Sequence, residues 1–130
     1  MVLVDSSAWV AYNRGRGNAR LIDCLGRLLE QGEVVTCPVV ILELARGAVS
    51  ERDYHEILGL FTSLRCLDLN ERIWKTSYHL AFDLARSGLT VPVPDLLIAS
   101  VAVANGCSLL HQDALYDRMA EESDLEIYKF

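Results

Sequence analysis

Four acidic residues stand where an acid is hard to explain: Asp5, Glu43, Asp95 and Asp113. Asp5 closes the apolar run Val2-Leu3-Val4. Glu43 interrupts Val39-Val40-Ile41-Leu42-Glu43-Leu44-Ala45, where a lone carboxylate would be desolvated unless paired or metal-bound. Asp95 leads Leu96-Leu97-Ile98-Ala99-Ser100-Val101-Ala102, and Asp113 follows Leu109-Leu110. Each has a plain alternative. Asp5 and Asp113 could only cap helices, Asp95 could only favour a helix dipole, and Glu43 could pair with Arg46. Gathered in one place, such carboxylates repel and push each other's pKa upward. A divalent cation removes that conflict. An all-oxygen donor set suits Mg²⁺ or Mn²⁺ rather than zinc.

Competing chemistries find little support. The chain has no GxxxxGK[ST], GxGxxG, HExxH or GxSxG motif. Ser6-Ser7 has no evident His partner. His55 and His79 fall in helical stretches and read as surface or packing residues. His111, two residues before Asp113, could edge the acidic site. The four cysteines form no CxxC pair and read as reduced, buried small hydrophobes. Glu30, Glu33, Glu51, Glu56, Glu71, Glu121 and Glu122 lie at turns or on polar helix faces and read as solvated.

The elements that must position these acids alternate along the chain. Short apolar strands are expected at Val2-Val4, Val34-Thr36, Arg65-Leu67 and Ser108-Leu110, with an edge strand at Leu125-Ile127. Between them run helical patterns. One is capped by Ser6 or Ser7 and broken by Gly15 and Gly17. The next carries Leu21, Ile22, Leu25, Leu28 and Leu29. Another opens at Pro38 and is closed by Gly47. Ser50 caps a fourth, with Ile57, Leu58 and Phe61 as its apolar stripe. Asn70 caps a long helix through Trp74, Tyr78, Phe82 and Ala85. Pro94 opens a helix that stops at Asn105-Gly106, and Asp113 caps a short last one. Strands alternating with helices imply an α/β fold whose parallel sheet is covered on both faces. Ligands of such sheets bind beyond the carboxyl ends of the strands, where Asp5, Glu43 and Asp113 would gather.

The totals bound the answer. A chain of 130 residues, 52% hydrophobic, suits one globular domain over residues 1–130. No apolar run reaches the roughly 18 residues of a membrane span, and the N-terminus lacks the basic start of a secretory signal. The expected location is cytoplasmic. The charge, 12 basic against 18 acidic residues and a net of −6, argues against nucleic acid unless metal ions or a basic partner offset it.

The blocks VLVDSSAWV, VVILELARG and VPDLLIASVAVANGCSLLHQD, in that order, resemble those of PIN-domain ribonucleases, especially the VapC-type toxins of type II toxin–antitoxin modules. Block spacing and length agree, so the likeness spans essentially the whole chain. The resemblance implies a three-layer α/β/α sandwich with a central parallel sheet of four to five short strands. It also implies Mg²⁺- or Mn²⁺-dependent RNA cleavage, a homodimer and inhibition by a cognate antitoxin. Carried over by position, Asp5, Glu43, Asp95 and Asp113 form the acidic quartet, with Asp5, Asp95 and Asp113 as metal ligands and Ser7 supporting the first acid. The chain departs from the pattern after Asp113. Many relatives carry a further Asp two residues on, where this chain has Leu115, and Tyr116 fills the aromatic place that follows. Asp117 either substitutes or is a solvated surface acid. Arg14, Arg16 and Arg20 could rim the RNA path. Leu21, Leu25, Leu28, Ile57, Leu58 and Phe61 could line an antitoxin groove or equally pack the core. The alternative function is a catalytically inactive PIN-like protein-binding module. A receiver-type phospho-acceptor domain is disfavoured because Asp5 has no acidic neighbour and Lys75 and Lys129 are poorly placed.

Overall fold

The computed structural model describes residues 1–15 and 17–130. Among these residues five parallel strands form one sheet in the order β3-β2-β1-β4-β5: β1 (Val2–Val4), β2 (Val34–Thr36), β3 (Arg65–Cys66), β4 (Ser108–Leu110) and β5 (Glu126–Ile127). All three residues of β1 are buried. Because neighbouring strand side chains point to opposite faces, helices must cover both sides of the sheet, which gives the α/β/α sandwich.

Among the described residues, seven helices connect and cover the strands: α1 (Ser6–Arg14), α2 (Ala19–Glu30), α3 (Pro38–Arg46), α4 (Glu51–Phe61), α5 (Glu71–Arg86), α6 (Val93–Asn105) and α7 (Ala114–Glu121). Pro38 occupies the first turn of α3, where its missing N–H is harmless. Gly106 ends α6 at φ 64°, a left-handed conformation that glycine adopts without a steric penalty. The N-cap of α1 is Asp5 rather than Ser6 or Ser7. Its carboxylate accepts the Ser7 N–H, so α1 begins immediately after the central strand.

The core joins β1 and β4 to the helices. Leu3, Trp9, Leu21, Leu25, Ile73, Ile98 and Leu109 are fully buried. The Trp9 ring meets Phe61 edge-on, with centroids 5.3 Å apart. The buried stripe of α5 is Ile73, Ser77, Leu80 and Leu84. Trp74, Tyr78 and Phe82 lie one position round the helix and are exposed. Cys66 also departs from expectation. It sits in the two-residue edge strand β3 and is exposed, whereas Cys24, Cys37 and Cys107 are buried. All four thiols are free.

Leu3 lies at the middle of the central strand and has no exposed surface. Leu3→Ala should destabilise the fold by about 2–5 kcal/mol, read from chemical denaturation, because the rigid neighbours can only partly fill the void. A loss below about 1 kcal/mol would contradict this packing.

Candidate active site

Three elements deliver the acids to one place. Asp5 follows β1, Glu43 lies in the middle of α3, and Asp95 sits in the first turn of α6. One oxygen of each lies within 4.8 Å of the others. Asp5 is 3% exposed, while Glu43 and Asp95 are half-buried. Burial, and then the Asp5 charge, holds the Asp95 carboxyl above its ordinary range, with Asp113 adding to the repulsion. Burial also raises Glu43, with Asp5 and Asp95 adding to the effect against a hydrogen bond from Ser6. Like charges pressed together in a half-buried site match the all-oxygen donor set of a divalent cation, so these residues fit such an ion.

The hydrogen bonds divide the cluster's oxygens among specific donors. Ser7 donates to Asp5 Oδ2 twice, from its hydroxyl at 2.6 Å and its backbone N–H at 3.0 Å. The Ser7 hydroxyl in turn accepts the Gln112 N–H at 2.9 Å. The buried Tyr116 hydroxyl donates to Asp5 Oδ1 at 2.8 Å and lies 3.3 Å from Asp95 Oδ1. Ser6 donates to Glu43 Oε1 at 3.1 Å. Glu43 makes no ion pair with Arg46 among the described residues; Ser6 is its partner.

Asp113 stands at the edge of this group. It is exposed, caps α7 by accepting the Leu115 N–H at 3.0 Å, and is close enough to raise Asp95. Asp117 does not join the acids. Its carboxylate lies 3.0 Å from His111 Nε2, and His111 Nδ1 accepts the Asp113 N–H at 2.9 Å. These two bonds fix the neutral tautomer, with the proton on Nε2. His111 therefore supports the loop after β4. Leu115 leaves the place of a further acid apolar and half-buried.

Sequence reasoning passed over Tyr116 and Ser6 as site residues. The available signals were the aromatic one helical turn beyond the Asp113 cap and a hydroxyl beside Ser7. Neither discloses a partner 111 or 37 positions away. A cleft of about 630 Å³ lies beside the centre, lined by Ser7, Val10, Ala11, Arg14, Gly17 and Gln112, with Ser7 the residue it shares with the hydrogen bonds to Asp5. Arg14 lines this cleft, while Arg16 is outside the described residues. Of the proposed groove residues, Leu21, Leu25, Leu28 and Phe61 are buried in the core, so they offer no free surface.

Residues 2–122 match the PIN domain family model. The chain belongs to the PIN domain family. The VapC ribonuclease Mb1587 of Mycobacterium bovis is 29% identical over 134 aligned residues, covering 100% of this chain and 99% of its own. Ribonuclease VapC21 of Mycobacterium tuberculosis is 30% identical over 97 residues, 72% of this chain and 70% of that protein. Among solved structures, VapBC2 from Rickettsia felis, bound to a DNA fragment from its promoter, superposes with a TM-score of 0.81. It covers 100% of this PIN domain chain and 99% of its own at 21% identity, a likeness of fold.

The raised carboxyls carry a sign. Glu43 and Asp95 bind protons more tightly folded than unfolded, so their contribution to stability is greatest below the ordinary carboxylate range. It falls as pH rises through their raised values. With chelator at pH 7, Asp95→Asn should therefore unfold at a higher temperature than wild type in scanning calorimetry. The gap should close as pH falls through the carboxylate range. Asn can still accept from Tyr116. A lower midpoint for the variant at pH 7 would show that repulsion does not govern the cluster.

Proposed function

We propose that this chain is an endoribonuclease dependent on Mg²⁺ or Mn²⁺, the RNA-cleaving toxin of a toxin–antitoxin pair. The observation that carries the reading is the meeting of Asp5, Glu43 and Asp95 within 4.8 Å, beyond the carboxyl ends of a PIN-domain sheet. The curated relatives named as VapC ribonucleases support the same activity.

In this reading Asp5 and Asp95 hold the cation, Asp113 contributes from the edge, and Glu43 completes the negative shell. When bound, the ion lowers the pKa of water and offsets charge on the phosphodiester under attack. Ser7 keeps Asp5 in one orientation and ties it to the loop after β4. Ser6 keeps Glu43 turned toward the other acids. The cleft past Ser7 and Gln112 gives the RNA backbone a route outward, and Arg14 at its rim meets a phosphate. A local cation centre with one basic rim reconciles RNA binding with the net charge of −6.

The cognate antitoxin is the inhibiting partner, and a promoter-bound VapBC neighbour is consistent with such a pair. The exposed apolar side chains Leu42, Val49 and Tyr54, on and between α3 and α4, offer it a surface in place of the buried groove residues. Homodimerisation is part of the same proposal, with the exposed Trp74, Tyr78 and Phe82 stripe of α5 as a contributor. We further propose that residues 1–130 act as one PIN domain in the cytoplasm. Among the described residues no helix is long and apolar enough to cross a membrane.

Cleavage of a structured RNA with Mn²⁺ should fall by at least about a hundredfold in Asp5→Asn and in Asp95→Asn, the scale on which perturbing a metal's ligand set acts. Wild-type rates in both variants would overturn the proposal. Arg14→Glu should weaken RNA binding more than it slows the chemical step. It should also flatten the plot of log affinity against log salt by about 1 unit. An unchanged salt slope would remove Arg14 from the RNA path.

A further inference from the structure

Asp5 has two carboxylate oxygens, each with two acceptor positions. Oδ2 receives both the Ser7 N–H and the Ser7 hydroxyl, so its positions are taken. Oδ1 receives only the Tyr116 hydroxyl, which leaves it one open acceptor position in a residue that clusters with Glu43 and Asp95. A cation entering the cluster must therefore meet Asp5 at Oδ1, the oxygen that Tyr116 touches. The same hydroxyl lies 3.3 Å from Asp95 Oδ1. A single phenolic proton thus sits between carboxylates from β1 and α6. Tyr116 has no exposed surface, so the ring cannot move aside without opening the core. Backbone connectivity adds a second tie, because the Gln112 N–H holds the serine that occupies Oδ2. Both oxygens of Asp5 are in this way positioned by one segment, residues 112–116.

We propose that Tyr116 is a positioning residue for the metal centre. Its hydroxyl holds Asp5 Oδ1 and Asp95 Oδ1 against one shared donor, and Oδ1 is the oxygen through which Asp5 would meet a divalent cation. This rests on the metal-dependent reading given above. The inference gives the aromatic after Asp113 a polar task that a phenylalanine could not perform.

The test is Mn²⁺ binding without RNA, by electron paramagnetic resonance or calorimetry, in wild type and Tyr116→Phe. Phe keeps the ring and its packing, and circular dichroism checks that the fold survives. The expected Kd for Mn²⁺ rises roughly tenfold to a hundredfold, the usual loss when a hydrogen-bond partner of a metal ligand is removed. The Mn²⁺ concentration that half-activates RNA cleavage should rise by the same factor, while the rate at saturating Mn²⁺ recovers toward wild type. A ring that served packing alone would leave the Kd unchanged. An unchanged or tighter Kd in the folded variant overturns the assignment of Tyr116 and leaves the ribonuclease reading standing. Failure of wild type itself to bind Mn²⁺ overturns both.

Should Tyr116→Phe fail to fold, wild-type protein labelled with ¹³C at tyrosine Cζ answers the same question. The chain has five tyrosines. One buried resonance should shift on Mg²⁺ addition while the others stay fixed. No responding tyrosine overturns the proposal.

Discussion

An ionised carboxylate held out of water needs donors or a cation for its oxygens, because nothing else replaces its lost hydration. Asp5, 3% exposed, is where this chain meets that requirement, and much of the molecule is arranged around it. The same carboxylate ends the central strand, caps α1 and anchors the loop after β4 through Ser7 and Gln112. It also receives the hydroxyl of α7 through Tyr116. One acid thereby ties the start of the chain to residues 112–116, two segments distant in sequence. The other acids are placed relative to it. Glu43 arrives from α3, whose start is set by Pro38 directly after β2, and Asp95 arrives on the first turn of α6.

The acidic patch differs from an ordinary solvated face in its geometry. Exposed acids elsewhere find nearby cations, as Glu71 does with Lys75 and Glu56 with Arg52, each one helical turn away. Such pairs contribute little and are easily screened. Around Asp5, Glu43 and Asp95 the side-chain donor is a hydroxyl in each case: Ser6, Ser7 or Tyr116. Hydroxyl donors orient a carboxylate without neutralising it. The site therefore keeps its negative charge and its need for a cation while its shape is already set.

Most of the fold could be read from the sequence, because parallel strands buried on both faces appear as short apolar runs. Val2-Val4, Val34-Thr36 and Ser108-Leu110 all carry that mark. Pro38, Gly47, Ser50 and Gly106 then punctuate the helices by local rules that need no tertiary information. The acids of the site were legible for a related reason. Asp5 and Glu43 interrupt apolar runs, and Asp95 heads one. Errors arose where contact at long range decides. Ser6 and Ser7 look like caps from local sequence alone, yet Asp5 takes the cap and frees both hydroxyls for carboxylates. Periodicity on α5 marks two neighbouring stripes, and only packing against α6 selects Ile73, Leu80 and Leu84 over Trp74, Tyr78 and Phe82. Cys66 sits in an apolar context, but an edge strand of two residues cannot bury it. Tyr116 is recognisable as an aromatic near the site, and its hydroxyl acquires meaning only when α7 folds back against β1.

The brevity of the outer strands has a consequence for how copies of this protein meet. β3 and β5 are two residues each, and they carry the exposed charged side chains Arg65 and Glu126 at the margins of the sheet. So short a run of unpaired backbone, flanked by charge, gives a passing strand almost nothing to template on. The sheet thus ends itself, guarding an aggregation-prone type of surface at both sides. What the sheet edges do not offer is left to side chains displayed on the helices.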